Sequence, residues 1–225
     1  MEIFEREIKL LGLEKFEKLT KSNILVVGIG GVGGYVCEML ARCGIGNLSI
    51  VDFDTIAPSN INRQIIALHS TIGTKKTEAF EKRLLDINPN LNLKIFSERL
   101  TENNFGDIVN TDFDYVIDAI DTFENKISLI CYCKNKGINI ISAMGAGNRF
   151  GMPQYVVCDI YKTSNDGLAK KVRKELRSRG IKDLTVVCST EPSTPVDGCV
   201  GSIAYQPSVC GITLASYVVN RIIKE

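Results

Sequence analysis

Short apolar runs alternate with helix-patterned stretches along most of this chain. Ile24 to Val27 is an apolar run closed by Gly28-Ile29-Gly30-Gly31-Val32-Gly33, and Tyr35 to Cys43 then carries a helical pattern. A second run, Leu48 to Val51, ends in Asp52-Phe53-Asp54 and completes a βαβ unit. Lys75 to Ile87 predicts a helix stopped before Pro89, and Leu93 to Phe96 a strand. Tyr115 to Ile117 predicts a strand ending at Asp118, Lys126 to Lys136 a helix, and Ile138 to Ser142 another strand. Helices placed between strands imply parallel crossovers, so the pattern predicts an α/β fold that is Rossmann-like and doubly wound, with a mainly parallel sheet.

Beyond Gly145-Ala146-Gly147 the alternation loosens into a C-terminal extension of mixed strands and helices. It holds Gln154 to Tyr161, a basic helix from Leu168 to Arg179, and Leu184 to Val187. Thr190 to Gly201, rich in Pro, Gly and small residues, predicts a loop. Pro207 is expected to open a last helix running to Ile223, with Val209, Ile212, Leu214, Val218 and Val219 toward the core. No repeat or linker divides the chain, so residues 1–225 are expected to form one domain. Its parts are a helical arm (1–21), a nucleotide-binding core (22–147) and a substrate-side extension (148–225).

Composition narrows the function classes. The 27 basic and 26 acidic residues leave a net charge of +1, so no global field draws nucleic acid or membrane. Met1 to Lys21 is charged and helix-patterned, and no apolar stretch reaches the roughly 20 residues of a spanning helix, so a soluble cytoplasmic protein is expected. Its 8 cysteines form no C-x-x-C pair, which argues for thiols without a structural zinc. Cys188 and Cys199 are conceivable nucleophiles, but the single histidine, His69, is distant in sequence from both.

Gly28, Gly30 and Gly33 fit a phosphate-binding turn: the first permits the bend, the second lets backbone approach phosphate, and the third lets helix pack on strand. Asp52, at the carboxyl end of the second strand, is placed to accept from ribose hydroxyls. These features suit NAD and ATP equally. The balance turns on Ser59-Asn60-Ile61-Asn62-Arg63-Gln64 and Gly73-Thr74-Lys75-Lys76, which put polar and cationic groups near the same sheet edge. A carboxylate attacking an α-phosphate drives out pyrophosphate with growing negative charge, which Arg63 and Lys76 can stabilise. Asp121, three residues past Asp118, is a candidate to hold Mg²⁺ on the phosphates.

The run Leu25 to Gly33, Asp52-Phe53-Asp54, Ser59 to Gln64, Ile87-Asn88-Pro89 and Asp118-Ala119-Ile120-Asp121 resembles the ThiF/MoeB/HesA group, relatives of ubiquitin-activating enzymes. The resemblance implies ATP and Mg²⁺ as cofactors. It implies that Gly28, Gly30, Gly31, Gly33, Asp52, Asp54 and Gln64 line the nucleotide, with Asp52 on the ribose. Asn60, Arg63 and Lys76 would contact the phosphates and Asp121 would contribute the metal site. Arg6, in Arg6-Glu7-Ile8-Lys9-Leu10-Leu11-Gly12, matches an arginine that reaches the triphosphate of the other protomer, which implies a homodimer.

Ile45-Gly46, Tyr115 to Asp121, Lys162-Thr163-Ser164, Leu168-Ala169-Lys170-Lys171, Ser189-Thr190-Glu191 and Gly201-Ser202-Ile203-Ala204 look like the tRNA threonylcarbamoyladenosine dehydratase branch of that group. Asp166-Gly167 replaces an Asp-Pro frequent in the branch. The branch implies a tRNA bearing threonylcarbamoyladenosine at position 37 as substrate, adenylation of its carboxylate, and ring closure. A cysteine desulfurase or sulfur-acceptor system is a further partner it suggests. Lys170, Lys171, Arg173, Lys174 and Arg177 are the candidate tRNA contacts. Two alternatives stand beside this: activation of the Gly-Gly terminus of a ubiquitin-like sulfur carrier, and a nucleotide-binding regulatory module without chemistry.

Overall fold

The structure, a computed structural model, describes residues 2–224, so Met1 and Glu225 lie outside the described residues. Two short helices, α1 (Glu5–Leu11) and α2 (Leu13–Lys21), precede the sheet. Then follow β1 (Asn23–Val27), α3 (Gly33–Arg42), β2 (Asn47–Val51), α4 (Lys76–Ile87), β3 (Asn92–Phe96), α5 (Phe105–Ile108), β4 (Tyr115–Asp118), α6 (Phe123–Lys136) and β5 (Ile140–Ala143). The extension adds β6 (Tyr155–Asp159), α7 (Gly167–Ser178), β7 (Thr185–Ser189) and α8 (Tyr205–Ile222).

The seven strands lie in the order β3-β2-β1-β4-β5-β7-β6. Every pair is parallel except β6 with β7. The order reverses direction between β1 and β4, and such a switch point opens a crevice at the carboxyl ends of the strands. The segments after β1, β4, β5 and β7 all emerge at that edge. The antiparallel β6 starts there because the stretch after β5 contains no helix to carry the chain back across the sheet.

Side-chain alternation along β1 assigns the two faces of the sheet. Ile24 and Val26 join a core with Val36, Leu40, Phe80, Leu84, Leu214 and Val218, from α3, α4 and α8. Leu25 and Val27 point the other way, onto Ile127, Ile130, Cys133, Val172 and Leu176 of α6 and α7. Both faces are covered, which is why these strands read as unbroken apolar runs. Each fully buried aliphatic side chain contributes roughly 2 kcal/mol of transfer free energy.

The expected doubly wound fold is therefore present, with shifted boundaries. The last helix opens at Tyr205, two residues before Pro207. Proline is tolerated at that third position because first-turn N–H groups have no intrahelical acceptor. The strand expected from Ile138 begins at Ile140, and the helix expected from Lys126 begins at Phe123.

Candidate active site

The Gly28–Gly33 turn joins β1 to α3 at the switch point. Gly28 has φ 82°, and a Cβ there would meet the Ala119 carbonyl oxygen at 2.8 Å, so the turn lies directly against the segment leaving β4. A Cβ on Gly33 would stand 1.8 Å from the Gly28 oxygen, a distance no side chain survives. Gly30 is open, its nearest neighbour being Gln64 Nε2 at 3.6 Å from a Cβ position. Among the described residues, the N–H groups of Gly30, Gly31 and Gly33 find no acceptor within the chain. Unpaired donors at a helix N-terminus form an anion cradle.

Acidic and cationic groups surround the cradle. Asp52 Oδ2 accepts from Ile29 N–H at 2.9 Å and Oδ1 from Asp54 N–H at 2.9 Å, which fixes the carboxylate beside the turn. Lys76, buried at the start of α4, donates to Asp54 Oδ2 at 2.7 Å and lies 3.7 Å from Asp52 Oδ1. Arg63 packs its stem by Gly31, with Cγ 3.5 Å from a Cβ position there. Its Nη1 donates to the Ser59 carbonyl and to Asn62 Oδ1, each at 2.8 Å. The Gln64 amide oxygen is buried without a hydrogen-bond partner, an acceptor in want of a donor beside the turn. Asn60 Oδ1 accepts from Ala57 N–H at 3.0 Å and shapes the loop carrying Arg63. Phe53, exposed after Asp52, carries the Arg99 guanidinium 3.7 Å above its ring.

Asp121 is exposed on the segment leaving β4, with the Thr122 hydroxyl 3.4 Å from Oδ1. Its supports are buried. Lys126 and Asp118 are both fully buried and paired at 2.7 Å, and Lys126 also donates to the Ala143 carbonyl at 3.1 Å. Ser142 Oγ hydrogen-bonds Asp118, whose other oxygen accepts from Ile120 N–H at 3.0 Å. One cluster thus locks the ends of β4 and β5 to the first turn of α6. A second cluster binds the extension: Arg149, 4% exposed, donates to the carbonyls of Gly145, Gly147, Asn165 and Glu191 at 2.8–3.1 Å. Asp166 lies 3.7 Å from it, accepts from Gly145 N–H and caps α7 through Ala169 N–H.

The structure thus brings together Gly28, Gly30, Gly31, Gly33, Asp52, Asp54, Asn60, Arg63, Gln64 and Lys76, with Asp121 on the segment that packs against Gly28. It does not bring Arg6 to them within the chain. Phe4, two residues away, packs on Phe16 near Gly44, at the far end of α3. That helix of 10 residues is about 15 Å long. On α7, Lys170, Lys171, Lys174 and Arg177 are exposed, but Arg173 donates to the Thr163 carbonyl at 2.9 Å and Arg177 lies over Tyr161. Burial, with Cys158 adjoining, pushes the Cys188 thiol up to about 12, which leaves it almost wholly protonated at neutral pH. Cys199 is exposed in the loop before α8. Among the described residues no cluster of His, Cys, Asp or Glu could hold a metal by itself, and no helix is long and apolar enough to cross a membrane.

Arg149, Asp166 and Lys126 support the site without standing out as functional residues in the sequence. Lys126 left one trace, a cation next to Ile127, Leu129 and Ile130 on an otherwise apolar stretch. Arg149 left none, since its partners are scattered from Gly145 to Glu191.

Known proteins match this chain over nearly its full length. Over 241 residues the chain is 35% identical to the tRNA threonylcarbamoyladenosine dehydratase of Bacillus subtilis, covering 99% of this chain and 95% of that one. It is 44% identical to the Haemophilus influenzae dehydratase over 164 residues, 73% of this chain but 63% of that protein's length. The crystal structure of Escherichia coli TcdA, a tRNA N6-threonylcarbamoyladenosine dehydratase, in complex with ATP superposes with a TM-score of 0.93 at 32% identity. That superposition covers 99% of this chain and 94% of the other. The ThiF family pattern matches residues 4–225. With the glycine cradle, the Asp52 anchor and the Arg63 and Lys76 cations seated in one crevice, and with a match running almost from end to end, the chain belongs to the ThiF family.

Proposed function

We propose that this protein is an ATP-dependent tRNA-modifying dehydratase: it adenylates the carboxylate of threonylcarbamoyladenosine 37 in tRNA and promotes its cyclisation. The observation that carries this is the placing of the Arg63 stem beside Gly31, and of Lys76 against the Asp52 carboxylate that is fixed to the glycine turn, in a chain that aligns with a dehydratase over nearly its whole length. A carboxylate oxygen attacks the α-phosphorus of ATP, and the bond to pyrophosphate breaks. A ureido nitrogen of the same side chain then attacks the activated acyl carbon, AMP leaves, and the nucleoside has lost one water. Holding both partners in one molecule makes the second step unimolecular, so no enzyme thiol is required. The high thiol pKa of Cys188 agrees with that.

Mg²⁺ fits the donor set. Asp121 offers an exposed carboxylate and the described residues form no complete cage, which suits a cation held by one carboxylate plus substrate phosphates. When bound, it would neutralise charge on the phosphates. Exposed apolar side chains support a homodimer: Leu10 is 83% and Met152 83% exposed. In that dimer Arg6 would serve the partner's site, since it stands far from its own. The lysines of α7 suit the tRNA backbone, and the whole of 1–225 would act as one adenylating domain.

The test is mass spectrometry of tRNA nucleosides after incubation with enzyme, ATP and Mg²⁺. The expected product is lighter by one water, with AMP and pyrophosphate released. An unchanged tRNA, combined with pyrophosphate exchange stimulated by a small protein ending in Gly-Gly, would move the protein to the sulfur-carrier activators.

A further inference from the structure

The stretch 190–204, between β7 and α8, crosses the carboxyl edge without forming helix or strand, and residues 192–200 are all exposed. It is nevertheless tied down. Thr194 N–H donates to the Asn148 carbonyl at 2.6 Å, Asn148 N–H to the Gly201 carbonyl at 2.8 Å, and Gly201 N–H to Asn148 Oδ1 at 2.6 Å. Val200 sits on Gly147, so this strap covers the wall that follows β5. A further tie comes from the nucleotide side, where Asn62 Nδ2 donates to the Ser202 carbonyl at 3.0 Å.

The Asn62 amide is held at both ends. Its oxygen accepts from Arg63 Nη1 at 2.8 Å, and the same nitrogen donates to Ser59 O at 2.8 Å. A guanidinium Nη carries two hydrogens, so both are committed. Arg63 cannot present that nitrogen to a phosphate without giving up one of these bonds. Losing the bond to Asn62 frees its amide to rotate away from Ser202. We infer that Asn62 is a positioning residue that transmits nucleotide occupancy from Arg63 to the 190–204 strap, loosening the strap over the substrate side once phosphate claims the arginine. The trigger rests on the ATP reading given above. The latch itself does not.

The Thr194 and Gly201 N–H groups are tied to Asn148 while the strap is latched, so their hydrogen–deuterium exchange reports strap release. The full-length protein is deuterium-labelled with and without ATP, and uptake by the peptide spanning residues 192–202 is measured by mass spectrometry. In the wild type, ATP should speed labelling about fivefold, the factor carried by one net hydrogen bond. Asn62→Ala should label that fast without ATP and ignore ATP, bind ATP about fivefold more tightly in the calorimeter because no latch is left to break, melt as the wild type does, and show a raised KM for tRNA. Asn62→Asp still accepts from Arg63 but cannot donate to Ser202, so it should also label fast while binding ATP more weakly. Equal exchange of the strap amides in wild type and Asn62→Ala without nucleotide would overturn the latch. A wild type that binds ATP in the calorimeter without faster labelling would overturn the transmission. A wild type that binds no ATP defeats the functional reading instead, and the nucleotide-free comparison still decides the latch.

Discussion

The ammonium of Lys76 stands 2.7 Å from the carboxylate of Asp54, and both flank the turn that is open to phosphate. With Asp52 3.7 Å away, the lysine is shared between two anions before any nucleotide arrives. In the proposed reaction its charge offsets those anions where phosphate would bind, and it is the cation assigned to the departing pyrophosphate.

Replacing Lys76 with Met should therefore do two kinds of damage, removing a donor and leaving two carboxylates facing the phosphates. ATP-pyrophosphate exchange should fall by about 10²-fold or more, as for loss of one preorganised donor. Asp54→Asn, which leaves Lys76 its Asp52 partner, should lose much less. Equal losses in the two variants would mean that Asp54 itself touches the nucleotide or its metal.

Lys126 and Asp118 form a fully buried pair, so removing one partner strands the other's charge. Lys126→Met should lower unfolding stability by about 3–5 kcal/mol, and Asp118→Asn with Lys126→Met should recover part of that. Denaturant titration of the two variants measures the difference.

Glu38 gives a pH prediction. Burial acts to raise its carboxyl, but hydrogen bonds and charge from Arg83 and Arg42 outweigh burial and hold it below the ordinary value. A carboxyl lowered in the folded state stabilises fully above its unfolded value of about 4.3, and loses that contribution as pH falls through the folded value. Glu38→Gln should thus be less stable than wild type at neutral pH, and the gap should close in acid. A gap that is constant with pH would assign the loss to packing.

On α7 the cations divide by what they already hold. Changing Lys170, Lys171 and Lys174 to Ala should weaken tRNA binding and flatten its log-log salt slope by about one for each phosphate no longer neutralised. Arg173→Ala should instead lower the melting temperature, because its guanidinium holds the Thr163 carbonyl. Filter binding over a salt series, set against thermal unfolding, separates the two roles.

Sequence made legible what is local. The apolar runs and the glycine turn marked β1, α3 and β2 because alternation, turn geometry and burial all act within a few residues. Arg63 and Lys76 were legible as cations near one edge, since the loop after Asp52 must return to that edge to start α4. Arg149 was not, because its hydrogen bonds to Gly145, Asn165 and Glu191 exist only after three distant segments meet. The antiparallel β6 also escaped, since a strand's direction depends on where its connection crosses the sheet.

The glycines of the turn carry unequal information. At 28 and 33 a side chain would collide with backbone oxygens at 2.8 and 1.8 Å, so those two would persist in a descendant that had lost every trace of catalysis. Position 30 meets only the tip of a flexible glutamine at 3.6 Å, and an alanine would fit there in the free protein. On the proposed function, the middle glycine is therefore the position that would sort active enzymes from retired relatives, while the outer two certify only that the scaffold folds.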